Sequence, residues 1–316
     1  MELKDLNQRF GAVLDYLDSV ILGKREVVKK VVIALLSRGH LLIEDVPGVG
    51  KTTMARSLAN ILECKFHRVS FTSDMMPSDI LGTPIFNRNT NEFTFQEGPI
   101  FTNILLADEL NRTTPKTQSA FLEAMEAGQV TIEKNTYDLP SPFLVMATQN
   151  PLEFSGTFPL PVSQLDRFLI RVSIGYPTAD VEEKILVQYR GLDRDVIKPQ
   201  IIHLDEVLSW QEAVPKVKVD GSLVRYITQL AKKTRENREI HLGVSPRATL
   251  ALQRAVQAKA LVDGRDYVTP DDIQEMLMPV WAHRIIMATQ SGVGTHAYLQ
   301  AEQILQSIVS DTPVPV

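Results

Sequence analysis

Through the first ~175 residues, short apolar and β-rich runs alternate with stretches of helical periodicity, the pattern of a parallel sheet covered by helices. Five runs predict strands: Leu41 to Glu44, Phe66 to Ser70, Asn103 to Ala107, Phe143 to Thr148 and Phe168 to Ile174. The crossovers between them include helices over Thr52 to Leu62 and Pro115 to Ala127. The second is well punctuated, because Thr114 can cap its first turn, Pro115 fits the first helical position and Gly128 can close it. Two segments break the alternation. In TPIFNRNTNEFTF (83–95) and VTIEKNTYDL (130–139), apolar runs flank an Asn-bearing turn, so both predict β-hairpins inserted into the sheet domain. Such hairpins either extend the sheet or project as working elements.

Beyond Tyr176-Pro177 the periodicity is mainly helical. Asp220 starts a helix carrying Val224, Ile227 and Leu230, and Ser245-Pro246 starts another that runs to Val262. Thr269-Pro270-Asp271-Asp272 caps a third, with Ile273, Met276, Leu277 and Val280 on its buried face. The fold class that follows is α/β. A sheet domain with a five-stranded parallel core occupies 1–176, carrying hairpins at 83–95 and 130–139, and a smaller all-α domain occupies 177–316. Two prolines in Ser310 to Val316 predict a frayed tail.

The chain has 316 residues, 44% of them apolar and 22% charged, which supports a full core and excludes a disordered or low-complexity protein. Its longest aliphatic run, Val31 to Leu36, is far below the ~18 residues of a membrane span. The opening MELKDLNQRFG lacks the apolar stretch of a signal peptide, so the cytoplasm is the expected compartment. A single cysteine, Cys64, excludes an internal disulfide and a Cys-based metal cage, and reads as core filler beside Phe66. His40, His67, His203, His241, His283 and His296 show no metal-ligand spacing. A net charge of −5 leaves no broad cationic footprint for a polyanion. The basic runs Lys24-Arg25 with Lys29-Lys30, and Lys232-Lys233 with Arg235 and Arg238, read as solvated helix faces, so nucleic acid is not an expected partner.

The strongest chemical signal is LLIEDVPGVGKTT: an aliphatic strand, a loop with Gly48 and Gly50, then Lys51-Thr52 opening a helix. Glycines let backbone N–H groups turn toward phosphate oxygens, the helix N-terminus adds its positive end, Lys51 brings a point charge and Thr52 a hydroxyl for Mg²⁺. A nucleoside triphosphate is the natural guest. Asp45 stands where the G-x-x-x-x-G-K-[ST] pattern has its first glycine, a residue that helps make the turn. The plain alternative is a Gly-rich turn with an incidental lysine.

A second apolar strand ends in Asp108-Glu109, which sets two carboxylates at the carboxyl edge of the sheet, where ligands sit in open α/β folds. Asp108 suits Mg²⁺, usually through water, and Glu109 suits polarising a water that attacks the γ-phosphate. Alone, the pair would read as a loop start and helix cap. A third strand, in FLVMATQNP, delivers Asn150, whose amide can orient that water without adding charge. Asn150-Pro151 on its own is a turn signal.

With these residues in hand, the chain resembles the MoxR group of AAA+ ATPases over nearly its whole length. The resemblance runs through IEDVPGVGKT, FTSDMMPSDILGT, FQEGPIFTNILLADELNRTTPKTQSAFLEAMEAGQVT, ATQNP, FPLPVSQLDRFLIRV and GVSPRATLAL. It implies a P-loop NTPase core with a helical lid, and ATP and Mg²⁺ as cofactors. It also implies hydrolysis to ADP and phosphate in a hexameric ring, and a chaperone-like role in remodelling or maturing protein complexes, often beside a protein with a von Willebrand factor A domain. By the same resemblance Val46, Pro47, Gly48, Val49, Gly50, Lys51, Thr52 and Thr53 form the Walker A loop, and Leu22 and Gly23 belong to the nucleotide pocket. Asp108 and Glu109 fall in Walker B, Thr52 and Asp108 toward Mg²⁺, Asn150 at sensor 1, Arg167 at the arginine finger and Arg247 at sensor 2 of the lid.

Each arginine also has its own physical reading. Arg167 precedes the last strand and is expected to face outward, completing a neighbouring subunit's site; the alternative is an ion pair with Asp166 or Glu153. Arg247 lies in the first turn of a helix, where a cation opposes the helix dipole, so it calls for a partner anion such as a γ-phosphate; the alternative is an exposed surface cation. Val162-Ser163 stands where relatives commonly have Glu-Ala, and Lys24 replaces a frequent Gln near the expected adenine pocket. Three other readings share parts of this pattern: a nucleotide-gated scaffold with little turnover, a chelatase-like metal-insertion ATPase and a ring motor on DNA. Glu109 and Arg167 speak against the first, and the acidic charge against the last.

Overall fold

The computed structural model describes residues 3–89, 91–150, 156–188, 201–288 and 295–315. Two helices come first, α1 (Leu3–Val20) and α2 (Arg25–Leu36), followed by β1 (Leu41–Glu44), α3 (Lys51–Ile61), β2 (Phe66–Ser70) and α4 (Pro77–Leu81). The hairpin β3 (Gly82–Asn87) and β4 (Glu92–Glu97) precedes β5 (Ile104–Asp108) and α5 (Pro115–Ala127). A second hairpin, β6 (Gln129–Ile132) and β7 (Asn135–Asp138), precedes β8 (Leu144–Gln149), α6 (Val162–Leu165) and β9 (Ile170–Val172). The remainder is α7 (Ala179–Gln188), α8 (Leu204–Ala213), α9 (Gly221–Glu236), β10 (Ile240–Leu242), α10 (Pro246–Val262), α11 (Pro270–Trp281), β11 (Ile286–Met287) and α12 (Thr295–Ser310).

The five predicted strands form one parallel sheet in the order β2-β5-β8-β1-β9. The three inner strands are buried almost end to end, because helices cover both faces. Alternation along them divides the core in two. Leu41, Ile43, Leu106 and Met146 face the side covered by α1, α2 and α3, while Leu42, Leu105 and Val145 pack with Ile80 of α4 and Phe121 and Leu122 of α5. The last strand is shorter than the run Phe168 to Ile174 suggests. Past Val172 the amides of Ile174 and Gly175 bond the carboxylate of Asp45 instead of a neighbouring strand.

The helical part shares the first of these cores, with Val256, Leu277 and Trp281 belonging to the same apolar cluster as Val28 and Leu41. Among the described residues it is helical apart from the short β10–β11 ribbon and a single bridge between Lys218 and Tyr267. Ion pairs hold it internally and against the sheet domain: Lys259 of α10 bonds Asp272 of α11 at 2.8 Å, and Lys29 of α2 reaches across to Asp263 at 2.5 Å. Arg171 on β9 bonds Glu44 at 2.6 Å and Glu302 of α12 at 3.1 Å, with its guanidinium 4.1 Å from the Tyr298 ring centre. Ile227 and Leu230 are buried as expected, but Val224 is 41% exposed, because the buried stripe of α9 runs through Leu223 and Tyr226. Nor does the tail fray before Thr312, which is buried and bonds the carbonyl of Ile308 at 2.6 Å.

Neither hairpin joins the main sheet. They lean on each other instead, Phe95 of β4 stacking on Tyr137 of β7 at 4.2 Å, while Phe86 and Phe93 pair in the open toward the far end of the first hairpin. The local basic runs are used inside the chain: Arg25 pairs with Asp15, Lys24 donates to the carbonyl of Tyr176, Lys233 to that of Asp311 and Arg235 to that of Val244. Among the described residues no helix is long and apolar enough to cross a membrane.

Candidate functional site

Chain direction in a parallel sheet sends every strand's carboxyl end to one edge, and there the loop after β1 turns into α3. Gly48 and Gly50 have φ of +87° and +93°, which L side chains rarely adopt, and a side chain at Gly48 would meet no atom within 4 Å. The loop is therefore open on the side a phosphate would approach. Gly50 caps α3 without a side-chain bond, leaving the first helical amides to bind whatever lies beyond. Lys51, Thr52 and Thr53 are half-buried in that first turn, Val46 and Val49 are half-buried in the loop, and Pro47 is exposed.

The Lys51 ammonium donates to the backbone carbonyl of Asp45 at 2.6 Å. Burial pushes its pKa down, against the pull of Asp45, Asp108 and Glu109, so all three carboxylates act on one lysine. Asp45 does not need to be glycine, because its backbone is outside the positive-φ region. Its carboxylate points away from the loop opening: it accepts from Val46 N at 2.9 Å, Ser173 Oγ at 3.2 Å, Ile174 N at 2.5 Å and Gly175 N at 2.7 Å.

Asp108 ends β5 beside the loop. One oxygen accepts from Thr148 Oγ1 at 2.6 Å, and the other from Arg68 Nη2 at 2.6 Å and Nε at 3.2 Å. Thr148 Oγ1 in turn accepts the Glu109 amide at 2.9 Å. This bond holds Glu109 at φ 56°, ψ 47°, a left-handed conformation that a residue with a long side chain keeps only when its surroundings impose it. Its carboxylate accepts from Arg112 Nη1 at 2.8 Å. Asn150 is buried just past β8, next to the register pair Glu44–Gln149. Leu22 and Gly23 form the turn after α1, which approaches the loop through Ile21, whose Cδ1 lies 3.5 Å from where a Gly50 side chain would begin. The same turn faces the chain leaving the sheet: Gly23 abuts Val181, and Lys24 Nζ bonds the Tyr176 carbonyl at 2.8 Å.

The two arginines lie elsewhere. Leu169 donates to the carbonyl of His40, so Arg167 precedes β9 at the amino edge of the sheet, opposite the phosphate loop. Its side chain does not stand outward as expected. It is 25% exposed and pairs through Nε with Glu126 at 3.3 Å, the last turn of α5 being closer to it than solvent. Arg247 comes to the same carboxylate, Nη1 to Glu126 at 2.9 Å. Asp166 beside them is held by the buried Arg284 at 2.8 Å, whose pKa burial lowers to about 10. Of the alternatives for Arg167, Asp166 belongs to Arg284 and Arg247 in the structure, and Glu153 lies outside the described residues.

The structure thus gathers Lys51, Thr52, Asp108, Glu109, Asn150 and the Leu22-Gly23 turn at one edge, as the sequence reading expects, and brings Arg167 and Arg247, which that reading treats separately, together on Glu126 at the other. The sequence reading misses Arg68, Thr148, Arg112 and Glu126. Thr148 and Arg68 become visible only with the strand order, which makes β8 and β2 the two neighbours of β5. Among the described residues no group of three His, Cys, Asp or Glu is arranged to hold a metal by itself. The oxygen donors near Lys51, Thr52 and Asp108, suit instead a hard cation shared with a phosphate.

Comparison with known proteins defines the class. The family described as ATPase family associated with various cellular activities (AAA) matches residues 40–170, and the AAA lid domain matches residues 232–308. A crystal structure from Cytophaga hutchinsonii, provisionally assigned as an ATPase, superposes with a TM-score of 0.89 at 34% identity, covering 99% of this chain and 97% of that one. The chain belongs to the MoxR family of AAA+ ATPases. It is 40% identical to Chaperone MoxR1 of Mycobacterium tuberculosis over 85% of this chain and 73% of that protein. It is 45% identical to the uncharacterised protein YeaC of Bacillus subtilis over 99% and 97%, and 26% identical to Protein MoxR of Paracoccus denitrificans over 99% and 98%.

Proposed function

We propose that this chain hydrolyses ATP to ADP and phosphate with Mg²⁺, and that it spends the energy as a chaperone-like factor on protein complexes in the cytoplasm. The observation that carries the reading is the joint action of Asp45, Asp108 and Glu109 on a half-buried Lys51, beside an open loop built on two positive-φ glycines. The loop fits a triphosphate because it offers amides, one ammonium and no side chain in the way. Thr52 and Asp108 are the residues that would hold Mg²⁺, which supplies charge neutralisation to the phosphates when bound.

The chain's own residues supply the rest. The Val46 to Thr53 loop binds the phosphates, and the Leu22-Gly23 turn borders the base. Glu109 takes the proton of the attacking water, Asn150 orients that water, and Thr148 fixes both carboxylates by bonding Asp108 and the Glu109 amide. Arg167 and Arg247 act together on a neighbour's site, since both lie at the edge opposite the chain's own loop; this supports a hexameric ring built by head-to-tail contacts. We divide the chain at 176/177 into nucleotide-binding core and lid, with the hairpins, tied through Phe95 and Tyr137, as the elements that move a client protein.

The test is Glu109→Gln. Gln keeps the bulk of the side chain and removes the base, so the variant should bind ATP, remain associated and lose steady-state phosphate release by ~10²-fold or more. It should also retain client proteins that wild type releases. Hydrolysis at the wild-type rate would refute the role of Glu109.

A further inference from the structure

Asp45 engages every polar group it has, and each partner belongs to a different part of the machine. Its amide donates to the Gln149 carbonyl at 3.2 Å, at the end of β8 next to Asn150. Its carbonyl accepts the Lys51 ammonium at 2.6 Å. Its carboxylate, 6% exposed with the residue, takes four donors, three of them from the segment Ser173–Gly175 through which the chain leaves the sheet for α7. That segment is in turn held by the turn after α1, where Lys24 bonds Tyr176 and Val181 abuts Gly23.

A carboxylate buried this deeply needs donors in place of the water it gave up, and here mainly backbone amides supply them. Glycine, the residue of the general phosphate-loop pattern, would leave Ile174 N and Gly175 N without that acceptor. The substitution of Asp for Gly is therefore not a tolerated defect in the turn, whose backbone does not use positive φ here. It adds a bond between the loop and the exit segment.

We propose that Asp45 is a positioning residue that couples occupancy of the phosphate loop to the exit segment Ser173–Gly175, and through it to α7 and the helical lid. The coupling rests on the nucleotide reading above. Lys51 holds the Asp45 carbonyl while no phosphate competes for its ammonium; when Lys51 turns to a phosphate, Asp45 loses that restraint, and its carboxylate transmits the change to the two amides it grips. Arg171 on the same strand, bonded to Glu44 and to Glu302 of α12, gives the displaced segment a second connection to the lid.

The experiment is hydrogen exchange of the full chain with and without MgADP, on wild type, Asp45→Asn and Asp45→Gly, alongside nucleotide affinity and steady-state hydrolysis. In wild type, MgADP should change protection both in the phosphate loop and at Ile174 and Gly175. In Asp45→Gly the loop response should persist, with affinity within ~3-fold, while the amides of Ile174 and Gly175 exchange ~10-fold or more faster and no longer respond to nucleotide; Asp45→Asn, whose amide oxygen can still accept from them, should shift the same way by less. Hydrolysis should lose ~10-fold in kcat with KM little changed, which a purely structural weakening would not produce selectively. Asp45→Asn guards against a folding failure of Asp45→Gly, since its amide oxygen leaves the exit segment an acceptor.

A nucleotide response at Ile174 and Gly175 that keeps its wild-type size in the variants overturns the coupling. So does a wild type that binds MgADP without any change at those two amides, an outcome that leaves the nucleotide reading standing. A wild type that fails to bind MgADP overturns both.

Discussion

Replacing Arg167 by alanine should abolish turnover, yet mixing that variant with Lys51→Ala should restore part of it. The geometry sets the expectation. Arg167 enters at the amino edge of the sheet and Lys51 beyond the carboxyl edge, separated by the four residues of β1, a span of ~13 Å, with the phosphate loop beyond. No arginine rotamer closes that gap, so on the proposed reading Arg167 serves a neighbour's phosphates. An arginine supplied in trans is worth ~10³ to 10⁵ in rate, or about 4 to 7 kcal/mol, and Arg167→Ala alone should lose activity on that scale. Lys51→Ala should lose phosphate binding but still present an intact arginine face. In a randomly mixed ring at equal ratio, roughly a quarter of interfaces join a working loop to a working arginine, so phosphate release should recover to roughly a quarter of wild type. The same mixture tests Arg247. Because it shares Glu126 with Arg167, Arg247→Ala should also be rescued by Lys51→Ala, whereas Arg167→Ala mixed with Arg247→Ala should gain nothing, both lesions lying on one face. Recovery in that last mixture would place Arg247 in its own subunit's site. No recovery with Lys51→Ala at any ratio, in assemblies shown by labelling to be mixed, would refute the trans assignment altogether.

Two further outcomes follow from bonds in the structure. Thr148→Val removes the hydroxyl between Asp108 and the Glu109 amide and leaves that amide without an acceptor, a cost of ~1 to 3 kcal/mol, so kcat should fall ~10-fold while ADP affinity holds; an unchanged kcat would reduce Thr148 to packing. Acid sensitivity should trace partly to His40, whose pKa burial lowers to about 4 while Val145 N donates to Nδ1 and Nε2 faces the Met125 carbonyl. The unfolded chain takes up a proton below ~6.5 that the folded chain refuses, so this contribution is complete above that pH and is lost toward pH 4, on the order of 3 kcal/mol. Urea unfolding from pH 7 to 4 should show a shallower decline in His40→Asn than in wild type, and equal slopes would exclude His40 as the source.

Much of the fold was legible because its signals are local. An aliphatic run flanked by turns marks a buried strand wherever it lies in the sheet, and Thr114, Pro115 and Gly128 bound α5 at the residues the structure gives. The candidate site was legible where one strand end brings two neighbouring polar groups to the sheet edge, as with Lys51-Thr52 and Asp108-Glu109. What escaped depends on neighbours distant in sequence. Thr148 and Arg68 meet Asp108 because β8 and β2 flank β5, and nothing in FLVMATQNP or FHRVS announces that order. Asp45 looked like damage to a glycine pattern because its partners, Ser173 to Gly175, are contributed by the opposite end of the sheet domain. Arg167 was expected to face outward because Glu126, its partner, is an unremarkable acidic residue in the last turn of a helix.

Glu126 explains why an isolated subunit can keep two arginines poised without a phosphate to bind. Around it and Asp166 stand Arg167, Arg247 and Arg284, three guanidiniums against two carboxylates, so the face carries an excess of positive charge. Arg284 is buried and committed to the backbone carbonyls of Phe168, before β9, and Val280 of α11, which leaves Arg167 and Arg247 as the pair available for exchange. On the proposed reading, moving them onto a neighbour's triphosphate would cost only the difference between one carboxylate and a more highly charged anion, since both states keep the guanidiniums bonded. Arg247 lies in the first turn of the lid helix α10 and Arg167 just before the last strand of the core, so the shared carboxylate also fixes lid against core within one subunit. On the proposed reading, releasing it would free that contact as the neighbour's site is completed, which would make assembly, lid position and hydrolysis parts of one exchange of partners.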